Sequence, residues 1–239
     1  MSKGIIQSLK DGFVVSCQAL ENEPLYGSSV MAAMAAAAEQ GGAAAIRANT
    51  PQDIAAIKKA CSLPVIGLYK KSYLDCDIYI TPTMKEVTEV VEAGAEIVAI
   101  DFTQMPRPAG ESLEDLIAAV RENFPSVLIV ADISTFEEGV IAMDLGADLV
   151  STTLSGYTPY SKQQEDPDIE LVKRLADLNR TPVLAEGRIW TIEQCIECYK
   201  AGAHAVVVGT AITRPQIIVK RYVDTIRQQI RSTTLEQSS

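Results

Sequence analysis

The sequence predicts an α/β fold, a closed (β/α)8 or TIM barrel, and three observations carry that reading. First, a helix-ending phrase recurs as Gly42-Ala43, Gly94-Ala95, Gly146-Ala147 and Gly202-Ala203. Its spacing is roughly fifty residues, which is two β/α units per interval. Second, each phrase leads directly into an apolar strand-like run. A further such run lies before the first phrase and between successive ones. Third, the chain has 239 residues, which suits one barrel or two small domains. The glycine supplies the left-handed residue that ends a helix, and the alanine lets the chain turn tightly into the strand.

The elements follow in order. Met1 to Lys10 reads as a short amphipathic helix closing the barrel bottom. Gly12 to Gln18 is the first strand, followed by a helix over Ser29–Gln40. Ala44-Ala45-Ile46 opens the second strand, and Thr50–Ala60 is the next helix. Pro64 to Lys70 is strand three, with a helix over Thr83–Ala93 behind it. Ile97-Val98-Ala99-Ile100 is strand four, and Ser112–Asn123 its helix. Val127 to Asp132 is strand five, and Thr135-x-x-Glu138 is a capping box that starts a helix to Leu145. Leu149-Val150 begins strand six, followed by a helix over Asp168–Leu178. Pro182 to Glu186 is strand seven, then a helix over Thr191–Ala201. Ala205 to Val208 is strand eight, and Pro215 suits the first turn of a helix to Arg231. The strands are apolar on both faces, as a parallel sheet covered by helices requires. Residues 1–231 thus read as one barrel domain and 232–239 as a polar, frayed tail. A doubly wound open sheet is the rival fold; eight regular units with no unpaired region favour closure.

Composition excludes several function classes. Lysine plus arginine number 21 against 31 aspartates plus glutamates, a net charge of −10. Non-specific binding to nucleic acid or to an anionic membrane is therefore disfavoured, and an anionic substrate would need locally placed cations. No run approaches a membrane span, and no secretory signal opens the chain. Five cysteines without framework spacing fit a reducing cytoplasm. Cys195-x-x-Cys198 lies within a helical pattern without a second pair or a nearby histidine, and reads as two helix-face thiols. His204 is the only histidine and falls on the amino-terminal side of the barrel, so triad chemistry and histidine-ligated zinc fail on geometry. No nucleotide-binding loop is present, and no cofactor is indicated.

Active sites of such barrels lie at the carboxyl ends of the strands. There the sequence places Gln18, Arg47, Lys70, Asp101, Asp132, Thr152-Thr153, Glu186 and Arg188, then Gly209-Thr210. Strand parity puts Lys70 on one face with Leu68 and Ile66, Glu186 with Leu184, and Asp132 with Val130 and Leu128. Lys71 and Cys17 then point the other way, Cys17 into the helix layer. Taken singly these residues have ordinary readings: Lys70 exposed, Glu186 paired with Arg188, Asp132 capping a helix, Arg47 bridging to an acidic helix. Together they exceed what a structural barrel requires. Lys70 and Glu186 end strands three and seven, which face each other across the axis. An amine and a carboxylate on opposite sides of one small molecule suit inversion of a carbon centre by proton removal and return.

A phosphate site is the second signal. Glu186-Gly187-Arg188 follows strand seven, and Gly209-Thr210-Ala211-Ile212-Thr213-Arg214 follows strand eight and leads into a helix. Loops at these two places with a short helix form the phosphate cradle of many barrels. Arg188 and Arg214 could add charge-assisted contacts. Gly209 could equally be an ordinary turn glycine.

At these residues a family resemblance becomes specific. The phrases are Val14-Val15-Ser16-Cys17-Gln18, Ile46-Arg47-Ala48-Asn49, Tyr79-Ile80-Thr81-Pro82-Thr83, Ala131-Asp132-Ile133-Ser134-Thr135, Ala185-Glu186-Gly187-Arg188 and Val208-Gly209-Thr210-Ala211-Ile212-Thr213-Arg214-Pro215. Running in order through nearly the whole chain, they resemble the N-acetylmannosamine-6-phosphate 2-epimerases of sialic-acid catabolism. The resemblance implies a phosphate-binding barrel that converts N-acetylmannosamine 6-phosphate to N-acetylglucosamine 6-phosphate without metal or organic cofactor. It implies catalytic roles for Lys70 and Glu186 and substrate contacts from Gln18, Arg47 and Asp132. It implies phosphate contacts from Gly187, Gly209, Thr210 and Arg214, and a homodimer; the apolar Ile217-Ile218-Val219 near Tyr222 could be its surface or could be internal packing. Two departures stand out. Phe102 replaces an expected small residue, and Ile192 replaces a usual proline. Rival readings are another phosphate-binding sugar epimerase or isomerase, and a sugar-phosphate sensor on a degenerate barrel.

Overall fold

The computed structural model describes residues 2–236. Eight strands close into one parallel barrel in chain order, β1 pairing with β8. They are β1 Gly12–Cys17, β2 Ala45–Asn49, β3 Val65–Leu68, β4 Ile97–Asp101, β5 Leu128–Asp132, β6 Leu149–Ser151, β7 Val183–Glu186 and β8 Ala205–Val208. The helices are α1 Ser2–Leu9, α2 Ser28–Gln40, α3 Pro51–Ala60, α4 Met84–Glu92, α5 Leu113–Asn123, α6 Phe136–Asp144, α7 Ile169–Ala176, α8 Ile192–Lys200, α9 Thr210–Thr213 and α10 Pro215–Glu236. The predicted fold and element order are those observed. Several boundaries shift by a residue or two: β1 ends at Cys17, one residue before Gln18, and β3 ends at Leu68, two before Lys70. The largest difference is α10, which runs past Arg231 to Glu236, while residues 237–239 of the expected tail lie outside the described residues.

Strand parity sorts the apolar residues into two layers. Val14, Ala45, Ile66, Leu68, Val130, Leu184 and Val207 fill the barrel interior. Val15, Ile46, Val98, Ile129, Val150 and Val206 face outward and pack beneath the helices, with Cys17 among them. Leu9 of α1 is fully buried in the interior group, so α1 closes the amino-terminal end. His204 Nε2 lies 2.8 Å from the Ile6 carbonyl and ties that plug to the chain entering β8. Aliphatic packing thus fills the barrel from below and leaves its carboxyl end for polar groups.

Helix starts are chemically specified. Thr50, Thr83, Ser112, Thr135, Asp168 and Thr191 each accept a backbone N–H at an N-cap. The Thr135–Glu138 capping box is present, and two more occur at Thr83–Glu86 and Thr191–Gln194. Glu138 is fully buried, yet Ser134 N–H, Ser134 Oγ and Tyr160 Oη all donate to it, so it also anchors the loop after β6. Phe102 is buried in the outer layer, where its ring fills space. Ile192 is the first residue of α8 and largely exposed, a position where proline and other residues are interchangeable. Among the described residues no helix is long and apolar enough to cross a membrane.

Gly67 shows how tightly sheet and helices meet. A Cβ there would lie 2.6 Å from Ala95 Cβ, 2.7 Å from Val90 Cγ1 and 2.9 Å from Ile54 Cδ1. Gly67→Val should therefore lower stability by at least about 2 kcal/mol through overpacking. Urea unfolding checks this; an unchanged midpoint would mean that the helix layer yields freely.

Candidate active site

A cavity of about 410 Å³ opens at the carboxyl end of the barrel, and Gln18, Arg47, Lys70 and Glu186 all line it. Its centre is Arg47, on β2 and only 1% exposed. Nη1 donates to Asp132 Oδ1 at 3.1 Å and Nη2 to Asp132 Oδ2 at 2.5 Å, a bidentate pair from β2 to β5. Arg47 Nε lies 3.3 Å from Glu186 Oε1, close enough for charge attraction, but it is buried without a hydrogen-bond partner. Thr153 Oγ1 stands between the carboxylates, 2.7 Å from Asp132 Oδ1 and 3.0 Å from Glu186 Oε2. Ser151 Oγ is 2.8 Å from Thr153 Oγ1. Glu186 therefore pairs with Arg47, not Arg188, and Asp132 serves the site, not a helix cap.

Lys70 lies just beyond β3, and its backbone is fixed from both sides. Its N–H donates to Asn49 Oδ1 at 2.8 Å, and the segment from Tyr79 to Thr81 returns antiparallel beside it. Among the described residues no carboxylate forms an ion pair with Lys70. Burial, and then the Arg47 charge, push its ammonium down to about 8. Burial raises Glu186 above the usual carboxylate range, with Arg47 opposing. For Arg47, burial alone would favour deprotonation, but Asp132 and Glu186 outweigh it and hold the guanidinium charged. Asp101 ends β4 in register with Asp132. It is fully buried behind the cavity wall, where desolvation pushes it up to about 6 although Thr103 donates to it.

The other predicted residues also reach this end of the barrel. Gln18 Nε2 donates to Ser16 Oγ at 2.9 Å, and its Oε1 is buried without a partner. Gly187, Gly209, Thr210 and Arg214 line the far side of the cavity, where α9 begins. Gly187 has φ 109°, a backbone conformation that favours glycine, and a Cβ at Gly209 would sit 3.1 Å from Ser16 Cβ, so close packing favours glycine there. Arg188 also lines the cavity, but Nε donates to the Asp166 carbonyl at 3.1 Å and Nη1 to the Ser155 carbonyl. It therefore braces the loop after β6 as well as facing the site. Among the described residues no cluster of three or more His, Cys, Asp or Glu side chains could hold a metal ion.

The model of the family described as "Putative N-acetylmannosamine-6-phosphate epimerase" (NanE) matches residues 31–228. The chain belongs to this family. A relative named "Putative N-acetylmannosamine-6-phosphate 2-epimerase" from Caldanaerobacter subterraneus subsp. tengcongensis is 56% identical, over 96% of this chain and 97% of its own. One of the same name from Clostridium perfringens is 50% identical, over 93% of this chain and 100% of its own. The solved structure of N-acetylmannosamine-6-phosphate 2-epimerase from Clostridium perfringens superposes with a TM-score of 0.89. It shares 50% identity and covers 92% of this chain and 96% of that one. A thiamine phosphate pyrophosphorylase from Pyrococcus furiosus, at 17% identity and a TM-score of 0.57, shares the fold alone.

Within this epimerase-family site, several lining residues escaped the sequence reading. Ser16 shares strand parity with Gln18, so alternation could have found it; Thr153 was placed at the end of strand six, but its bridging of the two carboxylates was not. Glu23, Tyr79, Tyr157 and Trp190 line the cavity from loops, where no periodicity marks them.

Lys70 has a measurable consequence for stability. Its folded pKa of about 8 lies below the ordinary 10.5. Between those values the unfolded chain binds more protons, so this group's contribution to stability rises with pH across that window. Below about 8 the cost of the buried ammonium is fully present. Lys70→Met should thus be more stable than the parent at pH 7 by roughly 1–3 kcal/mol, with the gap closing towards pH 10.5. Denaturant unfolding across pH checks this; a less stable variant at pH 7 would mean that the ammonium is well solvated.

Proposed function

We propose that the protein interconverts N-acetylmannosamine 6-phosphate and N-acetylglucosamine 6-phosphate by removing and returning the C2 proton, with Lys70 and Glu186 as the acid/base pair. The observation that carries this reading is the opposed shift of two groups on one cavity. The amine is lowered and the carboxyl raised, so each can exist at neutral pH in the form that catalysis needs.

In the ring-opened sugar the C1 aldehyde acidifies the C2 proton. Neutral Lys70 takes that proton, and negative charge develops on the aldehyde oxygen. Glu186 returns a proton to the opposite face of C2, and the roles exchange in the reverse direction. A proton on Glu186 Oε2 has the Thr153 hydroxyl oxygen within 3.0 Å to accept its hydrogen bond. Arg47, which lines the cavity, supplies a fixed positive charge to the developing oxyanion. Gln18 and Asp132 hold sugar oxygens or the acylamino group. Gly187, Gly209, Thr210, Arg188 and Arg214 hold the 6-phosphate, with the backbone N–H groups at the start of the α9 turn beside the arginines.

A second reading gives both proton transfers to Lys70. It is favoured by the contacts that Glu186 already makes to Arg47 and Thr153.

Proton NMR of the anomeric signals should show interconversion by the parent protein. Lys70→Met should lower kcat by about 100- to 10,000-fold with its fold intact. In D2O, solvent deuterium should appear at C2 of the product. Partial retention of the original hydrogen would assign both transfers to Lys70, and near-normal turnover by Lys70→Met would remove Lys70 from the mechanism.

The chain also pairs with a second copy on this reading. Val219, Tyr222 and Ile226 of α10 are 60%, 67% and 53% exposed and follow helical spacing on one face. Ile226→Asp should shift the mass seen by analytical ultracentrifugation from dimer to monomer. A monomeric parent would contradict the pairing.

A further inference from the structure

Glu23 is an acidic side chain on the wall of a cavity read as binding a phosphate. It sits in the loop between β1 and α2, lines the cavity with Arg214, and is ion-paired to it through Arg214 Nη2. Gln216 Nε2 donates to the same carboxylate oxygen at 3.2 Å, and Leu20 N–H donates to the other at 2.9 Å. The Glu23 side chain is 11% exposed and that of Arg214 31%. Arg214 Nε stays buried without a hydrogen-bond partner.

A carboxylate beside a phosphate site can act in two opposite ways. It can compete with the incoming anion for the arginine, or it can stay in place and hold the arginine ready. Three donors from two separate elements converge on Glu23, and little of it reaches solvent. Displacing it would leave a nearly buried carboxylate to be rehydrated and would free the β1–α2 loop from the start of α10. Arginine loses considerable rotamer freedom when ordered, so pinning it beforehand lowers the cost of binding an anion. Glu23 engages Nη2 alone, so the half-buried guanidinium keeps other N–H donors for that anion.

We propose that Glu23 is a positioning residue for the phosphate end of the cavity, holding Arg214 in place and tying the β1–α2 loop across it. The inference rests on the reading of this cavity as a sugar-phosphate site and adds a residue that lies outside the phrases carrying the family resemblance.

The test measures binding of inorganic phosphate to the full chain by calorimetry, alongside KM and kcat for N-acetylmannosamine 6-phosphate. Glu23→Ala should weaken phosphate binding and raise KM together by about tenfold, as loss of one charge-assisted contact implies, while kcat falls far less. Glu23→Gln, which keeps the shape, should lie between Glu23→Ala and the parent. In an Arg214→Ala background, Glu23→Ala should add nothing. A merely structural role would lower thermal stability and kcat without this phosphate-specific pattern. Equal or tighter phosphate binding by folded Glu23→Gln would make Glu23 a competitor and overturn the proposal, as would additive losses in the double variant. A parent that binds phosphate but does not epimerise the sugar would sink the proposed reaction and leave the Glu23 result readable.

Discussion

A guanidinium buried at the mouth of the barrel governs the rest of the site. Arg47 is 1% exposed and cannot shed its charge, so its surroundings must compensate that charge or the fold fails. Asp132 does this with two parallel hydrogen bonds, and Glu186 adds a nearby negative charge. Thr153 and Ser151 supply hydroxyls to the carboxylates that face Arg47. Four strands, β2, β5, β6 and β7, are thereby tied around one charge, with Thr153 entering from just beyond β6. Removing Asp132 would orphan the guanidinium, so its contribution to folding and to the site cannot be separated.

That arrangement needs a scaffold without slack. The interior layers of Leu, Ile and Val below the polar cap, and the plug made by Leu9, keep water out from the amino-terminal end. Desolvation of Lys70 and Glu186 follows from this packing. The loops above are held by buried polar groups, as where Glu138 takes hydrogen bonds from Ser134 and Tyr160, and Thr158 Oγ1 donates to Ser134 Oγ. Capping chemistry that begins helices also fixes the loops that surround the cavity.

The barrel was legible because its signals are local. A glycine at a helix end, a β-branched run and an N-cap threonine each act within a few residues. Arg47, Asp132 and Glu186 were legible for a related reason: alternation along a strand assigns their direction once the apolar partners are known. Their mutual pairing was not. Glu186 was as readily matched to Arg188, two residues away, because the contact with Arg47 spans the barrel and depends on its closure and register. Tyr79 and Glu23 arrive from loops, whose courses are set by contacts with distant elements. Arg188 read in the sequence as a partner for Glu186 or a phosphate contact; its φ of 56° and its two backbone carbonyl partners also make it a brace, and neither is visible without the loop after β6.

The placement of Arg47 also explains how an amine and a carboxyl can share a cavity without neutralising each other. Were Lys70 and Glu186 in direct contact, Coulomb attraction would raise the amine's pKa and lower the carboxyl's, locking both in their charged forms. Here the guanidinium takes the role of cation for both carboxylates, and Lys70 is left without an ion pair among the described residues. Its positive charge then repels the ammonium, adding to the desolvation that already favours the neutral amine. For Glu186 the same guanidinium opposes protonation, but burial outweighs it and the nearby Asp132 charge acts with burial. One permanently charged residue therefore biases two titratable neighbours, and the neutral amine that the proposed mechanism needs is favoured because the arginine has claimed the carboxylates.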